Sequence, residues 1–386
     1  MGGTLAPFEI PGDEQLRGSI PASLEEQGFE VRGGAISPPS GADKEALRQL
    51  HAVAVKHRIA KAEGGLRRHE AKLLLRIANG DDVVPERIEP RLVEVTPGSE
   101  DELLFRYASL HWSIPVSSGY GRRLRFLVVD NQNDKLIGLF GLGDPVFSLA
   151  ARDRWIGWDK EARRMRLSYL MDAFVLGAVP PYSHLLCGKL VAMLVTSNEV
   201  RHAFSHKYGQ RKSLILQRPL DGQLAMITTT SALGRSSIYN RLKLRDRVLF
   251  ESVGFTRGYG EFQFLNGLYD GMVHYARRFC EPTAKHERWG TGFRNRREVV
   301  KKCLARIGHS AEYLRHGVRR EIFIIPLAAN ARQFLRGEEA ELRPFDYPAS
   351  DLFAWFRERW LLPRAERDPS YRGFCADSYR LWEGKE

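Results

Sequence analysis

From Ala42 to Ala62 apolar residues recur at helical spacing, with Leu47, Leu50, Val53, Ala54 and His57 near one face and Asp43, Lys44, Glu45 and Lys56 elsewhere. Gly64-Gly65 is expected to stop this helix. Leu66 to Ala78 predicts a second helix, closed by Asn79-Gly80. The two predict an N-terminal helical hairpin. Ahead of them, residues 1–41 are rich in Gly and Pro, with one strand-like piece at Phe29-Glu-Val-Arg and a break at Ser37-Pro-Pro-Ser-Gly. That region reads as a loosely packed arm.

From Arg91 the period changes. Arg91-Leu-Val-Glu-Val predicts a strand, and Asp101 to His111 a helix capped by Ser99 with acids in its first turn. Leu124–Val129 and Lys135–Leu142 predict strands joined by a turn at Asn131–Asp134. Leu167–Leu176 is a further strand. Gly177-Ala-Val-Pro-Pro-Tyr is a loop, because proline lacks the N–H and restricts the residue before it. Leu185 to Phe204 predicts one long amphipathic helix. Ile227–Thr230 opens a strand that turns near Gly234 onto a short helix and returns as a strand toward Arg257-Gly-Tyr-Gly260. Helices are expected at Leu265–Phe279, Glu298–Ile307, Leu327–Leu335 and Phe353–Trp360, with a strand at Arg319–Pro326. This order predicts an α+β fold: a mixed β-sheet flanked by helices, with the helical hairpin ahead of it and a mainly helical C-terminal extension after it. The expected parts are residues 1–90, 91–280 and 281–386.

Composition sharpens this picture. The chain has 386 residues, 43% hydrophobic and 27% charged, so it can bury a sizeable interior. Its formal net charge is +12. A surplus of that size, supplied mostly by arginine, favours a phosphate-rich partner through long-range attraction and counterion release. Basic residues are dense in the C-terminal extension, at Arg288, Arg294, Arg296, Arg297, Lys301, Lys302 and Arg306. Four scattered cysteines include no C-x-x-C pair, so neither a zinc module nor a disulfide framework is indicated. The N-terminus shows no basic and apolar signal pattern, and no apolar run reaches membrane-spanning length. The expectation is a cytoplasmic protein with no membrane contact.

Three chemistries compete for the polar residues. Arg122, Arg123 and Arg125 enter one strand, Arg152 and Arg154 flank Trp155, and Arg235, Arg241 and Arg257 surround the Leu224–Phe264 stretch. Interleaved arginine and aromatic residues grip phosphates and stack on bases. Internal pairing of Arg122 and Arg154 with Asp130, Asp144 or Asp153 is the plainer alternative for single residues. The second chemistry is acyl transfer. Pro180-Pro-Tyr-Ser-His-Leu-Leu-Cys-Gly-Lys-Leu-Val-Ala lies between a strand and a helix, in an element order similar to the GNAT N-acyltransferase fold. That resemblance implies acyl-CoA, with Gly188 and Lys189 at its phosphates and Tyr239, ahead of Gly254-Phe255, as general acid. Leu185 and Leu190 depart from the family's loop pattern. The third is a metal-dependent nuclease built on Asp130, Asp144, Asp153 and Asp172, which would need carboxylates converging on divalent ions. The histidines show no ligand spacing, so no metal residue is assigned. Gly138-Leu-Phe-Gly-Leu-Gly143 opens no helix and reads as strand rather than nucleotide loop.

Several long runs carry a family resemblance: Trp112-Ser-Ile-Pro-Val-Ser-Ser-Gly-Tyr-Gly-Arg-Arg, Arg152-Asp-Arg-Trp-Ile-Gly-Trp, Met171-Asp-Ala-Phe-Val-Leu-Gly-Ala-Val-Pro-Pro-Tyr and Thr228-Thr-Thr-Ser-Ala-Leu-Gly-Arg-Ser-Ser-Ile-Tyr-Asn-Arg-Leu. With these the chain resembles, over nearly its whole length, the DruA family of the Druantia anti-phage defence system. The resemblance implies a role in bacterial defence beside a large helicase-type partner. Cys187 stands where a glycine is expected. The combined expectation is a non-catalytic DNA-binding component on a GNAT-like core, with acyl transfer and nuclease action as alternatives.

Overall fold

The computed structural model describes residues 11–212, 219–284 and 291–382; Arg288 of the expected basic stretch lies outside them. The helices are α1 (Asp13–Glu26), α2 (Lys44–Leu66), α3 (Glu70–Leu74), α4 (Glu100–Ala108), α5 (Ala150–Ile156), α6 (Lys160–Arg166), α7 (Cys187–Leu194), α8 (Asn198–Tyr208), α9 (Leu268–Phe279), α10 (Arg296–Arg306), α11 (Ala331–Arg336), α12 (Ala349–Phe356) and α13 (Leu362–Arg367). The strands are β1 (Glu30–Arg32), β2 (Ala35–Ser37), β3 (Pro90–Glu94), β4 (Arg123–Asp130), β5 (Lys135–Gly143), β6 (Leu170–Ala178), β7 (Met226–Thr230), β8 (Lys243–Leu244), β9 (Arg247–Val248), β10 (Glu251–Phe255) and β11 (Glu321–Pro326).

A seven-stranded mixed sheet has the order β10-β11-β7-β6-β5-β4-β3. β3 to β6 form an antiparallel meander. The β4–β5 turn is held by Asp130, whose Oδ1 accepts from the backbone N–H of Gln132 at 3.1 Å and of Glu89 at 3.0 Å. β6 and β7 are parallel, paired from Leu170–Met226 to Ala173–Thr229. A parallel pair needs a long crossover, and α7 and α8 lie in it. The glycines of β5 serve close packing: a Cβ at Gly138 would meet Gly177 O at 2.5 Å, and one at Gly141 would meet the Phe174 ring at 2.4 Å.

Two compact units make up the chain. One holds residues 62–111, 116–255 and 321–386, and contains the whole sheet. α7 packs on β5 and β6, and α12 packs on α7. The opposite face is lined by Leu170, Met226 and Ile324, packed with Ile156 of α5 and Phe334 of α11. The second unit comprises residues 1–61, 112–115 and 256–320. Its core joins Leu16, Ile20 and Leu24 of α1 and Leu50 of α2 to Met272 and Tyr275 of α9 and Val300 and Cys303 of α10.

Three sequence expectations are corrected. The arm contains a four-turn helix, α1, with Leu16, Ile20 and Leu24 fully buried. Pro21 lies inside it and removes the donor for the Arg17 carbonyl; His309 Nε2 bonds that carbonyl at 2.8 Å instead. α2 runs through Gly64-Gly65 to Leu66, because a buried Leu66 anchors its last turn. The single helix expected from Leu185 to Phe204 is two: Ser197 is extended (φ −68°, ψ 159°) and its hydroxyl accepts from Val200 N, capping α8. Ahead of α7 the Pro180–Pro181 peptide is cis and Tyr182–Leu185 forms a 3₁₀ turn.

Candidate nucleic-acid interface

After β7 the chain leaves the sheet as a long loop, residues 231–250, in place of the short helix expected there. The loop is pinned from beneath. Tyr239 is buried, stacked on Phe250 at 4.9 Å and set edge-on to Phe323 at 5.3 Å. Leu242 and Leu249 are buried beside it, and Leu249 N donates to Leu242 O. The Ser236 hydroxyl accepts from the N–H groups of Ile238 and Tyr239. Ser236 N in turn donates to Glu321 Oε2 at 3.2 Å. The tip is the small β8–β9 hairpin, turning at Arg245-Asp246.

One residue in four of this loop is a base turned outward. Arg235, Arg241, Lys243, Arg245 and Arg247 are all exposed, and Asp246 is the acid among them. Arg241 (φ 59°) and Arg245 (φ 52°) occupy the left-handed region, which non-glycine residues adopt at a cost. Neighbouring aromatics extend the surface. Trp355 Nε1 donates to Lys243 O at 3.1 Å. The exposed Arg359 guanidinium lies over the Trp355 and Trp360 rings at 5.9 and 5.4 Å. Arg247 covers the Phe345 ring.

Of the arginines named from sequence, three are engaged internally. Arg122 binds Asp144 at 2.6 Å and donates to the carbonyls of Ser168 and Leu170. Arg125 pairs with Glu102 at 2.8 Å. Arg152 is fully buried, bonded to Asp153 and to the carbonyls of Val146 and Phe147. Each lies next to an acid or to carbonyls that need a donor, which is why these arginines fold inward. Trp155 is held by Nε1 donating to Glu251 Oε2 at 3.1 Å, with Arg332 over its ring. Arg123, Arg154, Arg235 and Arg241 are exposed in the sheet unit; Arg257 is exposed in the other unit. Lys243, Arg245, Arg247, Trp355, Arg359 and Trp360 complete the surface, and sequence reasoning missed them. The signal that could have found them was the alternation of bases with buried Leu242 and Leu249 and half-buried Leu244.

The residues named for acyl transfer sit close to the loop. Gly188 is buried, and a Cβ there would meet Ile238 at 3.3 Å. Lys189 Nζ donates to Ile238 O at 3.1 Å, and burial lowers its pKa. Tyr239 is held above its ordinary pKa by burial, with its hydroxyl toward Thr229. The loop's own residues thus fill the space beside the α7 N-terminus. Asp130 accepts from the Tyr182 hydroxyl, Asp144 and Asp153 are paired with arginines, and Asp172 accepts from Val146 N. Among the described residues no group of three His, Cys, Asp or Glu side chains could hold a metal ion. Among them also, no helix is long and apolar enough to cross a membrane.

Comparison with known proteins agrees over most of the chain. The family profile described as Druantia protein DruA matches residues 41–337. The curated Druantia protein DruA of Escherichia coli (strain UMEA 4076-1) is 40% identical over 376 residues, covering 97% of this chain and 91% of that protein. No solved structure matches. A profile match over most of the sequence, joined to that level of identity across nearly the full length of both chains, means that this chain belongs to the DruA family of Druantia proteins.

Proposed function

We propose that this protein is the DNA-binding component of a Druantia anti-phage defence system, working in the cytoplasm beside a helicase-type partner. The observation that carries the reading is the pinned basic loop: Arg235, Arg241, Lys243, Arg245 and Arg247 face solvent from a backbone fixed by Tyr239, Leu242 and Leu249. Fixed anchors spare the ordering entropy a free basic tail would lose on binding. Guanidiniums of this kind contact phosphates, and Trp355 and Trp360 add faces for stacking. The strand order, with its one parallel pair at β6–β7, supports a GNAT-like scaffold used as a platform. Acyl-CoA would have to displace Ile238 from beside Gly188.

The test is fluorescence anisotropy with a labelled duplex across a salt series. The wild type should bind at low salt and weaken steeply as salt rises. Arg235→Gln/Arg241→Gln/Arg245→Gln should lower the slope of log affinity against log salt by about 1 for each phosphate that the variant no longer neutralises. Absence of binding at low salt, or an unchanged slope in the triple variant, removes this reading.

A further inference from the structure

The unit built from residues 1–61, 112–115 and 256–320 contains a cluster that the proposed DNA-binding loop does not use. His51 is fully buried and His316 nearly so, and both rings lie against Phe262, at 4.0 and 4.6 Å between centroids. Arg320 reaches the same place: Nη2 lies 3.3 Å from His51 Nε2, and the guanidinium carbon is 5.9 Å from the centre of the Phe262 ring. Among the described residues no carboxylate pairs with Arg320. Its Nε is sealed from solvent and has no hydrogen-bond partner.

The hydrogen bonds fix both histidine tautomers. Guanidinium nitrogens only donate, so His51 Nε2 accepts from Arg320 and its proton sits on Nδ1. His51 Nδ1 is itself sealed and unpartnered. His316 Nδ1 accepts from Val318 N at 3.1 Å, so its proton sits on Nε2. A Cβ at residue 260 would come within 3.3 Å of that Nε2, and the residue is Gly260. Burial and the Arg320 charge hold both imidazoles far below their ordinary pKa, to about 3, so both are neutral near pH 7. Two sealed N–H donors of the cluster, one of them on a half-buried cation, thus lack acceptors. The Phe262 face offers a cation less than an ion pair does.

We propose that His51, His316 and Arg320 form a binding site for a phosphate-type oxyanion, which supplies an acceptor to the Arg320 guanidinium. The ligand is either a free phosphate or the terminal phosphate of a nucleic-acid strand. Arginine forks and neutral imidazole N–H groups suit such an oxyanion. The site lies in a different unit from the basic loop, so it stands whether or not that loop binds DNA.

The experiment is calorimetry on the full-length protein with inorganic phosphate, and with a short oligonucleotide carrying either a 5′-phosphate or a 5′-hydroxyl. Arg320→Gln and His51→Gln are the variants. Saturable phosphate binding should weaken by about tenfold or more in each variant, the scale of one charged hydrogen bond. A 5′-phosphate preference that disappears in the same variants assigns the strand end as ligand; equal affinity for the two oligonucleotides assigns free phosphate. If the variants fail to fold, the wild-type protein decides through the ¹⁵N shifts of its histidine rings. Two buried imidazoles should move on adding phosphate. No binding, unmoved shifts, or full binding by folded variants overturns the site.

Discussion

Asp172 shows how a single half-buried carboxyl sets a pH dependence. It lies on β6 beside Thr228 of β7, and its Oδ1 and the Thr228 hydroxyl are both sealed without partners. Burial, aided by Asp144, lifts its pKa to about 7 against the pull of Val146 N and Arg152. The folded chain therefore holds a proton that the unfolded chain releases from about pH 4 upward. Stability from this group is complete below that pH and declines as pH rises toward 7. Asp172→Asn should match the wild type in urea denaturation at pH 4 and exceed it at pH 8, by a few kcal/mol at most. A difference that does not grow with pH would show the carboxyl ionised throughout. Tyr239 gives a second residue-scale expectation. Tyr239→Phe should keep DNA affinity, whereas Tyr239→Ala should destabilise by about 3–5 kcal/mol, as large aromatic truncations in cores do. The density of arginine was plain in the sequence, but its direction was not. Arg122 and Arg152 share the local density of Arg235, and pairing with Asp144 and with the adjacent Asp153 turns them inward.

Elements whose patterns are local were legible. The β4–β5 hairpin, the Ser99 cap and helices α9 and α10 follow from periodicity and turn chemistry. Those decided by distant partners were not. The break before α8 is an exception, a local cap made by Ser197 to Val200 N inside an apolar pattern that runs straight through it. The loop after β7 depends on Phe250 and Phe323 capturing Tyr239, which no local spacing announces. Within that loop, Arg245 separates binding from folding. Its left-handed backbone favours glycine. Arg245→Gly should stabilise the chain by up to about 1 kcal/mol while weakening DNA binding. Thermal denaturation and anisotropy on the same preparation check both halves, and a drop in stability would mean that the arginine side chain itself supports the fold.

At the scale of the whole molecule, the segment ahead of the family match is structural. The profile begins at residue 41, yet α1 contributes Leu16, Ile20 and Leu24 to the same core as α9 and α10. Ile20→Ala should cost about 2–5 kcal/mol by chemical denaturation, the range for buried aliphatic truncation. A cost near zero would mean that α1 rests on that core without supporting it.

The position of β11 between β7 and β10 has a consequence in time. β11 starts at Glu321 and β7 ends at Thr230, so about ninety residues are translated between them, roughly 5–20 s at ordinary elongation rates. Through that interval β7 presents an open edge, the kind of strand that recruits wrong partners, and β10 has no neighbour to join. Ribosome-arrested chains should therefore gain a protease-resistant sheet only after Pro326 clears the exit tunnel, and a nascent chain of this family reaches that point with most of its length already made.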